Sequence, residues 1–133
     1  MKKICLCTLL AILLCCGCEI KHLKEEKKEL IDYTIVENAD IPEELAKTIM
    51  DKKGEAFNIT FSDNNYTYIV VGYGTMNSGG YSIQVLDLCE SDDNIYIETV
   101  LNGPKENELV LKAKTYPFIV VKIERNDKNV IYN

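Results

Sequence analysis

An apolar run over residues 4–14, broken only by Thr8, gives way to a Lys/Glu-rich stretch over 19–32, and only then do periodic patterns begin. Tyr33-Thr34-Ile35-Val36 is a short β-prone run. Asp40-Ile41-Pro42-Glu43 predicts a helix start: Asp40 can accept from the first unpaired backbone N–H groups, Pro42 suits the first turn, and Glu43 stands three residues after the cap. Ile41, Leu45 and Ile49 recur at helical spacing with Met50 beside them. Lys52-Lys53-Gly54 then sets positive charge on the negative end of the helix dipole, with a glycine beyond it.

After Gly54 the period becomes two. Phe57, Ile59 and Phe61 alternate with Asn58, Thr60 and Ser62, the pattern of a half-buried strand, and Asp63-Asn64-Asn65 is turn chemistry. Residues 66–73 are apolar or aromatic on both faces, as in a central strand. Strands are expected over 81–88 and 95–101, separated by an acidic turn at Glu90-Ser91-Asp92-Asp93-Asn94. A turn at Asn102-Gly103-Pro104 follows, then an alternating run at Leu109, Leu111 and Ala113, and a last apolar strand over 118–123. The predicted fold is mainly β (α+β): a small antiparallel β-sandwich or open barrel of five to six strands, with one N-terminal helix packed on it.

The first eighteen residues read as an address. Lys2 and Lys3 precede an apolar segment far shorter than the ~20 residues that span a bilayer. Leu14-Cys15-Cys16-Gly17-Cys18 then resembles a lipobox, with a small residue immediately before the cysteine that receives diacylglycerol. The usual leucine three residues before that cysteine is replaced by Cys15. The expected organisation is a lipoprotein signal peptide over 1–17, a lipidated Cys18 with a charged tether to residue 32, and one β-rich domain over 33–133. Membrane attachment through Cys18 would hold the protein at the cell membrane, facing the exterior or a periplasm.

Charge and cysteine usage narrow the chemistry. With Lys2 and Lys3 removed, 13 basic side chains face 21 acidic ones, a net −8 that repels phosphate backbones and argues against a nucleic-acid partner. Five of the six cysteines fall within the first eighteen residues, so the count reports on targeting rather than on a disulfide framework or a metal site. Cys89 alone lies in the body, where a single cysteine reads as a small core residue. The one histidine, His22, belongs to the tether, so acyl-transfer chemistry has no base within the domain. Asp92-Asp93 sits in a turn, no glycine-rich phosphate loop precedes a helix, and no Ca²⁺-loop pattern occurs. The expectation is a non-enzymatic protein with no cofactor and no metal.

Two segments stand apart from this framework. Gly72-Tyr73-Gly74-Thr75-Met76-Asn77-Ser78-Gly79-Gly80-Tyr81 joins two strands with four glycines and two tyrosines, and a second loop, Lys114-Thr115-Tyr116-Pro117-Phe118, leads into the last strand. Tyr73, Asn77, Ser78, Gly79, Gly80, Tyr81, Tyr116, Pro117 and Phe118 are the candidate partner-binding residues, since tyrosines supply rigid contact area and loops carry recognition. A tight hairpin and a proline-set strand start, with the aromatics buried, explain the same residues without a partner.

Three stretches carry a family likeness. They are Val70-Val71-Gly72, Ser78-Gly79-Gly80-Tyr81-Ser82-Ile83, and Thr115-Tyr116-Pro117-Phe118 with the Ile119-Val120-Val121-Lys122-Ile123 that follows. Together they resemble the PrcB C-terminal-type domain, and the Pro42-Glu43-Glu44 helix fits, so the likeness covers residues 41–124. A usual member has Thr or Pro-Thr before Gly-Gly-Tyr, where this chain has Asn77-Ser78, and the segment from Asn102 to Leu109 is shorter. The family is named for a lipoprotein subunit of a protease complex, so the resemblance implies a module that stabilises an exported partner, in the founding case a protease. A weaker likeness links Met76-Asn77-Ser78-Gly79-Gly80-Tyr81 to the inhibitory loop of chagasin-type peptidase inhibitors, without that loop's proline. Binding of a small ligand or an envelope polymer in a pocket of the β-domain is the third alternative.

Overall fold

The runs Tyr66–Tyr73 and Phe118–Glu124 lie side by side and antiparallel, covered on both faces, which is why neither alternates cleanly. The computed structural model describes residues 26–133; the leader, Cys18 and the first part of the tether, including His22, lie outside the described residues. In chain order the elements are β1 (Glu29–Leu30), β2 (Thr34–Ile35), a 3₁₀ turn (Asn38–Asp40), α1 (Glu43–Lys52), β3 (Ala56–Ser62) and β4 (Tyr66–Tyr73). They continue with β5 (Ser82–Glu90), β6 (Asn94–Asn102), β7 (Phe118–Glu124) and β8 (Asn129–Tyr132).

Eight strands form two four-stranded sheets, an outer one in the order β1-β5-β6-β8 and a middle one in the order β2-β7-β4-β3. All pairings are antiparallel except β6–β8. Between the sheets Ile69, Val121, Ile119 and Ile123 meet Leu88, Ile95 and Ile97. On the other face of the middle sheet, Leu45 and Ile49 of α1 close over Tyr68, Val70 and Val120, with Phe57, Ile59 and Phe61 packed around them. The molecule is therefore a three-layered β-sandwich with an external helix, as the periodicity predicts. Each fully buried Ile, Leu or Val contributes about 1.5–3 kcal/mol, so these two clusters dominate stability. Gly72 sits mid-sheet because Phe57 fills its place: a Cβ there would lie 2.1 Å from the ring.

Several local expectations change. Asp40 closes the 3₁₀ turn and does not cap α1; Pro42 is the N-cap residue, with φ preset at −52°, and Ala46 N–H donates to its carbonyl. Met50 is 59% exposed, since the buried stripe runs through Leu45 and Ile49 and position 50 is rotated about 100° from it. Residues 109–113 are not a strand. Their alternation is real but of opposite phase: Val110 turns inward while Leu109 and Leu111 point out. Strand β8 has no counterpart among the predicted elements, and β1 already pairs Glu29 and Leu30, within the tether, with Glu90 and Cys89.

The sandwich has two poles. At one, the Asp63 carboxylate accepts from the N–H groups of Asn65 and Tyr66, which hold it below the usual carboxylate range. There Lys128 Nζ also donates to Glu90 Oε2 (3.0 Å) and to the Ser91 carbonyl (2.9 Å), while Asn126 Nδ2 donates to the same carboxylate (2.8 Å). These bonds hold the Glu90 carboxyl low and lock β8 onto the β5–β6 hairpin. The chain also enters at this pole, with Tyr96 donating to Glu26 at 3.0 Å.

Two outcomes follow. Leu45→Ala should cost about 2–5 kcal/mol in denaturant unfolding, and Met50→Ala less than about 0.5 kcal/mol. Because the folded-state Glu90 carboxyl is depressed, its stabilisation is complete above the ordinary carboxylate range and lost as pH falls through the folded value. Glu90→Gln should therefore lower stability by about 0.5–1 kcal/mol at pH 7, and its difference from the parent should shrink as pH falls below the ordinary carboxylate range.

Candidate functional site

At the opposite pole, the connection from β4 to β5 must pass from the middle sheet to the outer one, and the connection from β6 to β7 must return. Both crossings use the same end of the sandwich, so the two segments singled out from the sequence meet. Met76 and Thr115 exchange backbone hydrogen bonds as an isolated antiparallel bridge, at 2.8 and 3.0 Å. The Thr115 hydroxyl donates to the Ser78 carbonyl at 2.6 Å. Gly79 N–H donates to the Leu111 carbonyl (2.8 Å), and Tyr73 N–H to the Pro117 carbonyl (3.0 Å). The result is a knot of two loops whose backbone groups satisfy one another.

Side chains divide between the knot's interior and its surface. Gly80 has φ +87°, and a Cβ there would lie 2.7 Å from Val110 Cγ1 and 2.9 Å from Pro104 Cβ, so the backbone must approach that wall bare. Tyr81 lies half-buried against Gly103. Phe118 packs into the helix-side core opposite Gly72, a structural position. Tyr73 reaches across the sheets, its hydroxyl 2.6 Å from Thr99 Oγ1. Tyr116 and Pro117 are half-buried, with Lys53 Nζ 4.4 Å from the Tyr116 ring centroid, and Asn77 is exposed. The knot therefore brings together the loop candidates from Asn77 to Tyr81 with Tyr116 and Pro117, while Phe118 belongs to the core and the Tyr73 side chain to the contact between sheets; of the nine, Asn77 and Gly80 are exposed.

Sequence reasoning missed the knot's most prominent surface. Leu109 is fully exposed and Leu111 is 70% exposed, both on the 103–114 loop that Gly79 holds in place. Two large apolar side chains projecting together are unusual on a solvated loop. The available signal was Pro104-Lys105-Glu106-Asn107-Glu108, a polar stretch too long for a tight hairpin, with Asn107 at φ +69° inside it. Nothing in the spacing of the Lys114–Phe118 loop marks Thr115, whose hydroxyl clasps the facing loop.

Elsewhere the geometry is structural. Cys89 is 4% exposed; burial, then the Asp87 charge, push its thiol above the usual value, away from thiolate chemistry. Among the described residues no group of three or more His, Cys, Asp or Glu side chains is placed to hold a metal ion. None of the described helices is long and apolar enough to cross a membrane. A cleft of about 460 Å³ opens between β3 and β8, lined by Asn58, Tyr73, Thr99 and Tyr132 among others, where a small ligand would sit if the third alternative held. Thr115→Val should remove the clasp on Ser78, lower stability by about 0.5–1.5 kcal/mol, and speed amide exchange at Met76 and Gly79 before the core is affected.

Residues 67–124, from β4 through β7, match the family model described as PrcB C-terminal. The match contains both loops of the knot and excludes α1 and β8. No curated protein and no solved structure matches the chain. The segment that builds the central strand pair and the knot is thus the part of the chain that is similar to the PrcB C-terminal family, 58 of its 133 residues.

Proposed function

We propose that this chain is a non-enzymatic, lipid-anchored interaction subunit that steadies an exported partner, a protease complex in the family's founding case. The observation that carries the reading is a pre-organised knot bearing two outward leucines. Its backbone is already hydrogen-bonded, so docking Leu109 and Leu111 into an apolar pocket costs little ordering entropy. Asn77, Lys112 and Lys114 are exposed on the same two loops, polar residues of the kind that rim a protein-binding patch. The family match covers this same region.

Anchoring through Cys18 belongs to the same proposal. The described chain enters at Glu26 and β1, beside the Glu90–Asn94 turn, whereas the knot lies at the other end of β5. Nine residues of strand separate the poles by about 30 Å at ~3.3 Å per residue, so a tether at one end leaves the loops unobstructed.

A photo-crosslinking amino acid at position 109 should capture one recurrent exported protein in living cells. Leu111→Lys in that background should cut the yield at least about tenfold. Mass spectrometry of the same material should find Cys18 as an acylated N-terminus. No recurrent partner, or a yield indifferent to the charge at position 111, would end the interaction reading; a mature N-terminus without lipid would end the anchored one. Micromolar inhibition of papain-like peptidases would replace it with the inhibitor reading.

A further inference from the structure

Sheet edges are where a β-protein is open to a second chain, and natural proteins guard them by shortness, charge, proline or a bulge. Here β1 and β2 are two residues long and β8 is four. The remaining edge, β3, runs seven residues as Ala56-Phe57-Asn58-Ile59-Thr60-Phe61-Ser62, with no charge and no proline. Its register against β4 is unbroken from Ala56 to Ser62. Among the described residues nothing pairs with its outer edge.

The order of side chains on that strand is symmetric about Ile59. Outward from Ile59 come a polar residue (Asn58, Thr60), an aromatic (Phe57, Phe61) and a small residue (Ala56, Ser62). We infer that β3 is the contact of a two-fold dimer, pairing antiparallel with β3 of a second copy of this chain and centred on Ile59. In that register Ile59 faces Ile59, each Phe57 faces Phe61, each Asn58 faces Thr60, and each Ala56 faces Ser62, so every position meets its own kind. Aromatic and polar pairs of this sort are the favourable cross-strand combinations, and an isologous contact closes on itself.

The end pairs are the costly ones in this register, because Glu55 of one copy arrives beside Asp63 of the other. The Asp63 carboxylate is held by its own turn, and Arg125, which donates to the Asp63 carbonyl at 3.0 Å and pairs with Asp127 at 3.4 Å, is a cation beside it. The pairing therefore rests on the five central positions, Phe57 to Phe61. The two middle sheets would join into one eight-stranded sheet, with both α1 helices on the same face. Antiparallel pairing sends the two loop knots to opposite ends of the dimer, so the contact does not depend on the function proposed for them.

Asn58 and Thr60 are exposed, so charges there test the register without disturbing the core. Sedimentation equilibrium of the full chain in density-matched detergent should show a dimer for the parent. Asn58→Lys with Thr60→Lys sets lysine against lysine twice and should weaken the dimer at least about tenfold. Asn58→Lys with Thr60→Glu sets opposite charges against each other twice and should restore it. Both double variants lose the same Thr60–Tyr132 hydrogen bond (2.8 Å), so they differ only in the charge set against the second copy, and equal melting temperatures establish equal folding. A parent that stays monomeric as concentration rises overturns the inference, as does a dimer that both double variants weaken alike or leave intact. Recovery of β3 in contact with a different protein, with no dimer, overturns it as well.

Discussion

The adjacency of β4 and β7 imposes the rest of the architecture. Two neighbouring strands that are apolar on both faces cannot lie at a surface; one layer must cover each side. The outer sheet covers one side with Leu88, Ile95 and Ile97, and α1 covers the other with Leu45 and Ile49. The helix needs only a narrow stripe because β3 carries Phe57, Ile59 and Phe61 onto the same face and widens the apolar floor beneath it. Peripheral strands can then be short, since the burial that stabilises the fold is concentrated at the centre.

That layering also dictates where the two crossing loops meet. Strand β4 belongs to the middle sheet and β5 to the outer one, while β6 and β7 make the reverse change. Both connections cross the core at one pole, and backbone polar groups brought together there must find partners. They find them in each other: Met76 with Thr115, Ser78 with the Thr115 hydroxyl, Gly79 with Leu111. A rigid platform arises from the need to satisfy backbone groups at a crossing, and outward residues such as Leu109 inherit its rigidity.

Elements governed by local periodicity were legible in the sequence; those governed by a distant partner were not. The stripe Leu45–Ile49, the alternation of β3, the doubly apolar β4 and the Asp63 turn all follow from spacing and side-chain chemistry within a few residues. Strand β8 escapes because Asn129 to Tyr132 is an unremarkable four-residue run whose place is set by β6 and by the Lys128–Glu90 contact 38 positions away. Residues 109–113 mislead because alternation reveals that one side is buried but not which side, and here Val110, not the leucines, meets Gly80. At the knot, glycine and tyrosine content marks the two loops that meet, while Leu109 and Leu111 read as core as long as the phase is unknown.

At Asn77-Ser78 the knot asks little of the side chains. Ser78 contributes its carbonyl to the contact with Thr115, and Met76 contributes its backbone N–H and carbonyl, so neither bond asks for a particular side chain. Gly80 is different, because φ +87° and the wall of Val110 and Pro104 leave no room for a Cβ. Thr115 is constrained as well, since its hydroxyl must reach the facing loop. The knot therefore holds its shape through a few positions, a backbone scaffold fixed by hydrogen bonds, and places no packing demand on the exposed side chains of Asn77, Leu109 and Leu111.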